Sequence, residues 1–203
     1  MKLYVSGDSF VDRHGYDIKY GKYPLWPELV ADWAELDLTM VGYSGCCNNV
    51  IFTKMAEMLF EDKDAIGICS WTSFDRITVK TWDVARRLSS LNSDDKIYSA
   101  LSDKGFFDRA EADYRNVHLM KSFELMCEKS FHIQGPYPWP NTRKDGPHET
   151  FLKRDLKRPQ IKGFYSMCKT FEVIGNGDGH PNEAGHLMLA NEIYNLLEKN
   201  NAI

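Results

Sequence analysis

Short strand-like runs of apolar residues alternate with helix-like stretches along the first 71 positions of the chain. Residues 2–6 form a largely apolar run, and residues 37–41 and 64–71 form two more, each bounded by polar or glycine-containing segments. Between them, residues 26–36 and 50–60 carry apolar side chains at the spacing of one helix face. The order strand, helix, strand, helix, strand predicts a parallel sheet wound with helices on both faces.

The second half of the chain continues this alternation less regularly. Apolar spacing predicts helices over residues 78–91, 109–129 and 182–200, and short strands over residues 131–134 and 170–174. Residues 135–162 are rich in proline and aromatic side chains, which predicts an irregular loop insertion. With 203 residues and no linker of distinct composition, residues 1–203 are expected to form one domain.

Composition and charge exclude several classes of protein. Apolar residues make up 43% of the chain and charged residues 27%, as in ordinary globular domains, and the net charge is −4. The basic stretch at residues 153–162 is interrupted by Asp155, Leu156 and Pro159, so no nucleic-acid groove is predicted. No apolar run of about 18 residues predicts a membrane span, and the first strand leaves no room for a signal peptide, so we expect a cytoplasmic protein.

The cysteines and histidines do not predict a metal site. The five cysteines are odd in number and lack C-x-x-C spacing, and no histidine pair has the spacing of metal ligands. We therefore expect reduced thiols and no metal. A thiol nucleophile at Cys46 or Cys47 is a minor alternative, because no residue near them in sequence supplies a base. The sequence does not define an oligomeric state.

The first residues suited to catalysis are Gly7-Asp8-Ser9-Phe10, which directly follow the first strand and precede a polar, tyrosine-rich loop. A serine at the carboxyl end of a parallel strand lies where open α/β sheets bind ligands. A strand-to-helix turn can present its hydroxyl beside free backbone N–H groups. The alternatives are a helix cap or a phosphate-binding loop.

The second group spans residues 178–182, with the sequence Asp-Gly-His-Pro-Asn, before the last predicted helix. A histidine in a glycine- and proline-rich loop can reach Ser9 across the sheet edge as its general base. Asp178 can then fix the imidazole tautomer by accepting from the other ring nitrogen. The sequence therefore predicts Ser9 as nucleophile, His180 as base and Asp178 as the orienting carboxylate.

These two groups resemble the first and last motif blocks of the SGNH, or GDSL-like, hydrolase family, and Gly185 and His186 continue the last block. The resemblance covers the order of elements along the whole chain, but specific residues mainly at its two ends. It implies a flavodoxin-like three-layer α/β/α fold with a central parallel sheet of about five strands, and hydrolysis of esters or thioesters without a cofactor. It also implies an oxyanion hole formed by the N–H groups of Ser9 and Gly45 and a third donor.

Two features depart from the family pattern. Ser70-Trp71-Thr72 stands where the family has Gly-x-Asn-Asp, so Thr72 takes the position of the oxyanion asparagine and its hydroxyl is expected to donate instead. The last block has one residue rather than two between Asp178 and His180. An Asx-turn at Asp178 that leaves a Ser-His dyad is therefore an alternative to the triad.

Substrate contacts are expected from residues near the two blocks and from the aromatic loop. The candidates are Asp8, Phe10, Trp71, Phe74, Arg76, Tyr137 and Trp139. Aromatic walls suit acyl chains and sugars alike. The family resemblance favours an O-acetyl or another short acyl group on a carbohydrate or small molecule as substrate. For Arg76, a salt bridge is an equally good interpretation.

Three other functions fit the same residues. The chain could be a catalytically weak or inactive module that binds a glycan or nucleotide, or an O-acyltransferase that uses the same serine and histidine. A phosphate-binding protein of flavodoxin-like fold is the third. The absence of a recognisable signal and the altered third block are compatible with a bacterial or bacteriophage origin.

Overall fold

The computed structural model describes residues 1–72, 76–80, 85–88, 109–133, 160–161, 173–175 and 178–203. Nine strands lie in these ranges: β1 (Lys2–Gly7), β2 (Asp37–Gly42), β3 (Ile66–Ser70), β4 (Ile77–Lys80), β5 (Ala85–Leu88), β6 (Ser130–Ile133), β7 (Gln160–Ile161), β8 (Val173–Gly175) and β9 (Asp178–Pro181). Five helices lie there too: α1 (Arg13–Lys19), α2 (Trp26–Trp33), α3 (Asn48–Glu61), α4 (Arg109–Met126) and α5 (Glu183–Lys199).

The main sheet has five parallel strands in the order β2-β1-β3-β6-β7, of which β7 contributes two residues. Strand β1 lies between β2 and β3, and Gly7 at its carboxyl end pairs with Gly42 on one side and Ser70 on the other. This is the strand order of flavodoxin-like folds, in which ligands bind beyond the carboxyl ends of the strands. The predicted parallel sheet of about five strands is confirmed.

Helices cover both faces of the sheet because alternate strand residues are buried on both sides. On one face, Leu3 and Val5 of β1 belong to a buried cluster with side chains of α2 and α5. On the other face, Tyr4 and Cys69 belong to a cluster with side chains of α3 and α4. The predicted three-layer α/β/α arrangement is confirmed, and the carboxyl ends of β1, β2 and β3 meet at one edge of the sheet.

Two stretches differ from the elements that the sequence predicts. Residues 78–91 are expected to be helical, but the antiparallel strands β4 and β5 lie there. The β-branched residues at positions 77–79 favour extended backbone, and this preference outweighs the helical spacing. The tyrosine-rich stretch after β1, expected to be a loop, contains α1, which Asp12 caps by accepting from the Gly15 N–H.

Helices α3 and α5 begin differently. Helix α3, predicted over residues 50–60, begins at Asn48, and its N-cap Cys47 makes no side-chain cap hydrogen bond. Asn48 is buried and bonded to the loop after β3. The terminal helix α5 begins as predicted, because Asn182 accepts from the Gly185 N–H at 2.9 Å.

The proline-rich insertion predicted over residues 135–162 lies outside the described residues except for 160–161, which form β7. The strand predicted over residues 170–174 is described only from Val173, where β8 begins. None of the described helices is long and apolar enough to cross a membrane.

Candidate active site

We call residues 8–12, which follow β1, the nucleophile loop. A turn is closed by a hydrogen bond from the Val11 N–H to the Asp8 carbonyl at 3.1 Å, with Ser9 and Phe10 at its centre. The Asp8 carboxylate also accepts from the Phe10 N–H at 3.2 Å. Ser9 is therefore held in a short turn directly beyond β1.

Two glycines let the nucleophile loop pack closely over the ends of β1 and β2. A Cβ atom at Gly42 would lie 2.4 Å from the Val11 carbonyl carbon and 2.5 Å from the Asp12 nitrogen. A Cβ atom at Gly7 would lie 2.6 Å from a methyl carbon of Val11. Close-packed interiors do not tolerate such distances, so the absence of a side chain at position 42 sets the separation between loop and sheet.

Asp12 joins the nucleophile loop to the turn after β2. Its carboxylate accepts from the Ser44 N–H at 3.0 Å, from the Ser44 hydroxyl at 2.6 Å and from the Gly15 N–H at 3.0 Å. Burial alone would raise the pKa of Asp12, but these hydrogen bonds lower it below its usual value. The turn over residues 43–46 gives Gly45 a φ of 72°, which glycine adopts without strain.

We call the antiparallel pair β8 and β9 the histidine hairpin. Asp178 and His180 are separated by one residue on β9, so both side chains point to the same face of the strand. His180 Nδ1 lies 2.5 Å from Asp178 Oδ1, and the His180 backbone N–H donates to the same oxygen at 3.0 Å. The carboxylate thus makes the Asx-turn contact and the imidazole contact at once, although the sequence presents them as alternatives.

The other imidazole nitrogen faces the nucleophile loop. His180 Nε2 lies 2.8 Å from the Ser9 hydroxyl oxygen, although the two residues are 171 positions apart in the chain. When Nδ1 donates to Asp178, Nε2 is the acceptor for the serine hydroxyl. Ser9, His180 and Asp178 therefore form one hydrogen-bonded series in the order that the sequence predicts.

This series continues to Tyr20, which follows α1. The Tyr20 hydroxyl donates to Asp178 Oδ2 at 2.7 Å and lies 3.4 Å from His180 Nδ1. Burial alone would raise the pKa of Asp178, but hydrogen bonds from Tyr20 and His180 lower it to about 2. Asp178 is therefore an ionised hydrogen-bond acceptor at neutral pH.

Aromatic side chains pack around the His180 imidazole. Phe10 stacks on it with ring centroids 5.0 Å apart and 23° between the ring planes. Tyr16 contacts it edge-on at 6.2 Å. The hydroxyls of Tyr16 and Tyr23 both donate to the Pro181 carbonyl, at 3.4 and 3.3 Å. These contacts hold the histidine hairpin against α1 and the nucleophile loop.

The three expected oxyanion donors differ in burial. Ser9 and Gly45 are partly exposed, and no hydrogen bond joins the N–H group of either residue to another described residue. Thr72 is only 1% exposed, and its hydroxyl lies near Asp8 without a hydrogen bond of ordinary geometry to any described residue. This burial does not support the expectation that the Thr72 hydroxyl replaces the asparagine of the family pattern.

Asn48 fixes the backbone at Thr72. Its Oδ1 accepts from the Thr72 N–H at 2.8 Å, and its Nδ2 donates to the Thr72 carbonyl at 3.1 Å and to Asn116 Oδ1 at 2.8 Å. All three residues are buried. The amide therefore joins α3, the end of β3 and α4 beneath the candidate site.

Three residues expected to contact substrate are buried instead. Asp8, Phe10 and Trp71 are at most 3% exposed. The Trp71 indole donates to His132 Nδ1 at 2.9 Å, and Asp8 forms the salt bridge with Arg76, at 3.4 Å. Burial raises the pKa of Asp8, against the opposing effect of the Arg76 charge. The remaining candidates, Phe74, Tyr137 and Trp139, lie outside the described residues.

Sequence reasoning missed Asp12, Tyr20 and Asn48. Aspartate is a preferred N-cap residue, and the four-residue spacing of Tyr16 and Tyr20 suits one helix face. Both signals were present in the sequence. For Asn48 nothing in the sequence indicates a partner at position 72. Cys46, the alternative nucleophile, is buried, as is Cys47.

Comparison with known proteins gives matches in structure alone. No family model and no curated protein matches the chain. The esterase EstA from Pseudoalteromonas sp. superimposes with a TM-score of 0.58 and 12% identity, over 100% of this chain and 99% of that protein. A GDSL-like lipase from Bacteroides thetaiotaomicron gives a TM-score of 0.52 and 14% identity, over 98% of this chain and 88% of that one. The chain has the GDSL-like hydrolase fold.

The same fold is found as part of a longer chain in another match. An acetyl xylan esterase from Butyrivibrio proteoclasticus gives a TM-score of 0.55 and 11% identity, over 99% of this chain and 64% of that one. Similarity at these identities establishes the GDSL-like hydrolase fold. The chemistry of the site depends on the contacts of Ser9, His180 and Asp178 themselves.

Proposed function

We propose that this chain is a serine-dependent hydrolase of carboxylic esters. The observation that supports it most directly is the hydrogen-bonded series Ser9, His180 and Asp178, with contacts of 2.8 and 2.5 Å. A binding module does not require a serine hydroxyl aligned with an imidazole whose other nitrogen contacts a carboxylate. The esterases and lipases that share the fold support the same assignment.

The reaction follows from the positions of three side chains. His180 Nε2 accepts the Ser9 hydroxyl proton as the serine oxygen attacks the ester carbonyl carbon, and Asp178 stabilises the imidazolium that forms. When the tetrahedral intermediate collapses, His180 donates this proton to the leaving alkoxide and the acyl group remains on Ser9. Water that loses a proton to His180 then attacks the acyl-serine, releases the acid and restores the serine.

The N–H groups of Ser9 and Gly45 are the donors that we assign to the oxyanion. They follow the neighbouring strands β1 and β2, and the bonds between Asp12 and Ser44 tie the two loops together. Removal of one donor from such a hole costs about 10²–10³-fold in kcat in other hydrolases. A hole with these two donors and a buried Thr72 is therefore expected to support slower turnover than one with three.

For the substrate we propose a short acyl ester, with an O-acetyl group on a carbohydrate as the first choice. The acetyl xylan esterase of the same fold supports this choice. An O-acyltransferase would form the same acyl-serine and transfer the acyl group to an alcohol in place of water. Product analysis with and without an added sugar acceptor distinguishes the two reactions.

The test is turnover of p-nitrophenyl acetate together with labelling by a fluorophosphonate, followed by intact-protein mass spectrometry. We expect wild type to turn over and to gain one label, and Ser9→Ala and His180→Ala to lose turnover by at least about 10³-fold. His118→Ala is the matched control, because His118 is exposed on α4. It should behave as wild type.

A wild-type protein that is folded, inert and unlabelled would favour the binding-module hypothesis. In that case glycan and nucleotide binding would be measured on the same preparation. Labelling that persists in Ser9→Ala would place the nucleophile elsewhere.

A further inference from the structure

The contacts of the Asp178 carboxylate divide between its two oxygens. Oδ1 accepts from the His180 ring and from the His180 backbone N–H, whereas Oδ2 accepts from the Tyr20 hydroxyl at 2.7 Å. About a third of the Asp178 side chain is exposed, and no other described residue donates to Oδ2. We infer that Tyr20 is a positioning residue of this site, whose hydroxyl fixes the Asp178 carboxylate and thereby sets the strength of its hydrogen bond to His180. This inference rests on the proposed function for its kinetic consequence.

The location of Asp178 explains why it needs an additional anchor. It lies on β9, which pairs only with the short strand β8 among the described strands and does not join the main sheet. Backbone pairing therefore restrains this carboxylate less than it restrains Ser9, which follows a strand of the main sheet that is paired on both sides. A phenol that donates to Oδ2 restricts rotation of the carboxylate and keeps Oδ1 directed at the imidazole.

Tyr20 has the protonation state that this role requires. Burial, together with its hydrogen bond to Asp178, raises the pKa of Tyr20 to about 12, so the phenol keeps its proton throughout the neutral range. Asp178 is an anion in the same range. The other titratable groups whose fields reach this cluster are Asp8, Tyr16, Tyr23 and His186, and the charges of Arg13 and Glu183 act on Tyr23.

Removal of the Tyr20 hydroxyl should change the hydrogen bond between Asp178 and His180 in a definite direction. Without the phenol, the Asp178 carboxylate rotates more freely and Oδ1 is less well directed at the imidazole, so the hydrogen bond from His180 Nδ1 weakens. The proton on His180 Nδ1 should therefore resonate further upfield in Tyr20→Phe. Because Tyr20 does not touch the scissile bond, kcat should fall by about tenfold, the effect of one charge-assisted hydrogen bond, with KM unchanged.

Tyr114→Phe is the matched control. Tyr114 is 58% exposed on α4, where its ring contacts His118 edge-on. The loss of its hydroxyl should leave the His180 Nδ1 proton in place and change kcat less than twofold. Both variants retain the aromatic ring, so thermal unfolding should show that both remain folded.

The experiment combines the proton spectrum of His180 Nδ1, the rate of fluorophosphonate labelling at Ser9 and steady-state kinetics on p-nitrophenyl acetate. An upfield displacement and slower labelling in Tyr20→Phe alone would support the inference. The same values in wild type and Tyr20→Phe, a downfield displacement, or equal changes in Tyr20→Phe and Tyr114→Phe would overturn it. A displaced resonance in a protein whose Ser9 is never labelled would keep the role of Tyr20 and reject the ester hydrolase.

Discussion

The nucleophile loop and the histidine hairpin meet at one hydrogen bond, but they are positioned by different kinds of contact. The nucleophile loop follows β1, which is paired in register on both sides, and the backbone of the loop lies against Gly42. The histidine hairpin lies outside the main sheet and is held by the side chains of Phe10, Tyr16 and Tyr23. Backbone pairing therefore positions the nucleophile, whereas aromatic and tyrosine contacts position the base.

This difference predicts different responses to mutation. In the nucleophile loop, substitutions should act through packing and folding, because the geometry is set by backbone atoms in contact. In the histidine hairpin, substitutions should mainly lower catalytic activity, because individual hydrogen bonds orient individual side chains. Variants in each region test this contrast.

Asp178→Asn should lower kcat by about 10⁴-fold while the protein stays folded. The amide cannot accept from His180 Nδ1 as a charged carboxylate does, and it favours the wrong imidazole tautomer. Turnover of p-nitrophenyl acetate and thermal unfolding measure the two quantities. Asp62→Asn, at a surface ion pair with Lys2, is the control. Full activity in Asp178→Asn would show that a Ser-His dyad suffices.

Gly42→Ala should lower the free energy of unfolding by about 3 kcal/mol, because the new methyl group would overlap backbone atoms of Val11 and Asp12. Gly179→Ala, in the histidine hairpin, should change it by less than about 0.5 kcal/mol, because a Cβ atom there meets nothing within 4 Å. Urea unfolding of both variants gives the comparison. Equal free energies of unfolding in Gly42→Ala and Gly179→Ala would contradict the contrast between the nucleophile loop and the histidine hairpin.

Asn48→Ala should destabilise the protein by about 2 kcal/mol, since the buried Thr72 N–H and carbonyl lose their partner. Thr53→Ala, an exposed position on the same helix α3, is the control and should cost far less. If Asn48→Ala unfolds at the wild-type urea concentration, the backbone after β3 does not depend on this amide.

Acidification should destabilise the protein through His186, at the start of α5. Burial, together with the charges of Arg13 and His180, lowers the pKa of His186 to about 3. In the unfolded chain the His186 imidazole binds a proton near pH 6.5, whereas in the folded protein it does so only near pH 3. The contribution of His186 to the free energy of unfolding is therefore fully present above pH 6.5 and decreases as the pH falls towards 3.

Through His186, the free energy of unfolding should decrease by about 2 kcal/mol between pH 7 and pH 5. His186→Asn should flatten this part of the profile, although it lowers stability at pH 7. Urea unfolding at several pH values measures both curves. Parallel slopes in wild type and His186→Asn would assign the acid sensitivity to other groups.

The main sheet could be predicted from the sequence because its strands and helices carry strong local patterns. Apolar runs bounded by glycine and polar residues identify β1, β2 and β3, and Asn182 identifies the start of α5. Residues 78–91 could not be assigned in this way, because helical spacing and β-branched residues coincide there and the pairing of β4 with β5 decided between them.

Residues of the candidate site could be predicted where the residue type itself indicates a catalytic role. They could not be predicted where the role depends on a contact with a residue distant in the sequence. Ser9, Asp178 and His180 stand out by residue type and context, and the structure brings them within hydrogen-bond distance. Tyr20 and Asn48 depend on contacts 158 and 24 positions away in the chain. No local pattern encodes such pairs. Thr72 was selected by its position in the motif, but that position did not indicate that its side chain is buried.

The 171 positions between Ser9 and His180 also have a consequence for folding kinetics. Their contact closes a loop of almost the whole chain, so it is among the slowest kinds of contact to form. During synthesis, the nucleophile loop leaves the ribosome long before the histidine hairpin does. Covalent labelling of Ser9 would therefore report the completion of folding, since compact intermediates that lack the docked hairpin contain the serine without its base.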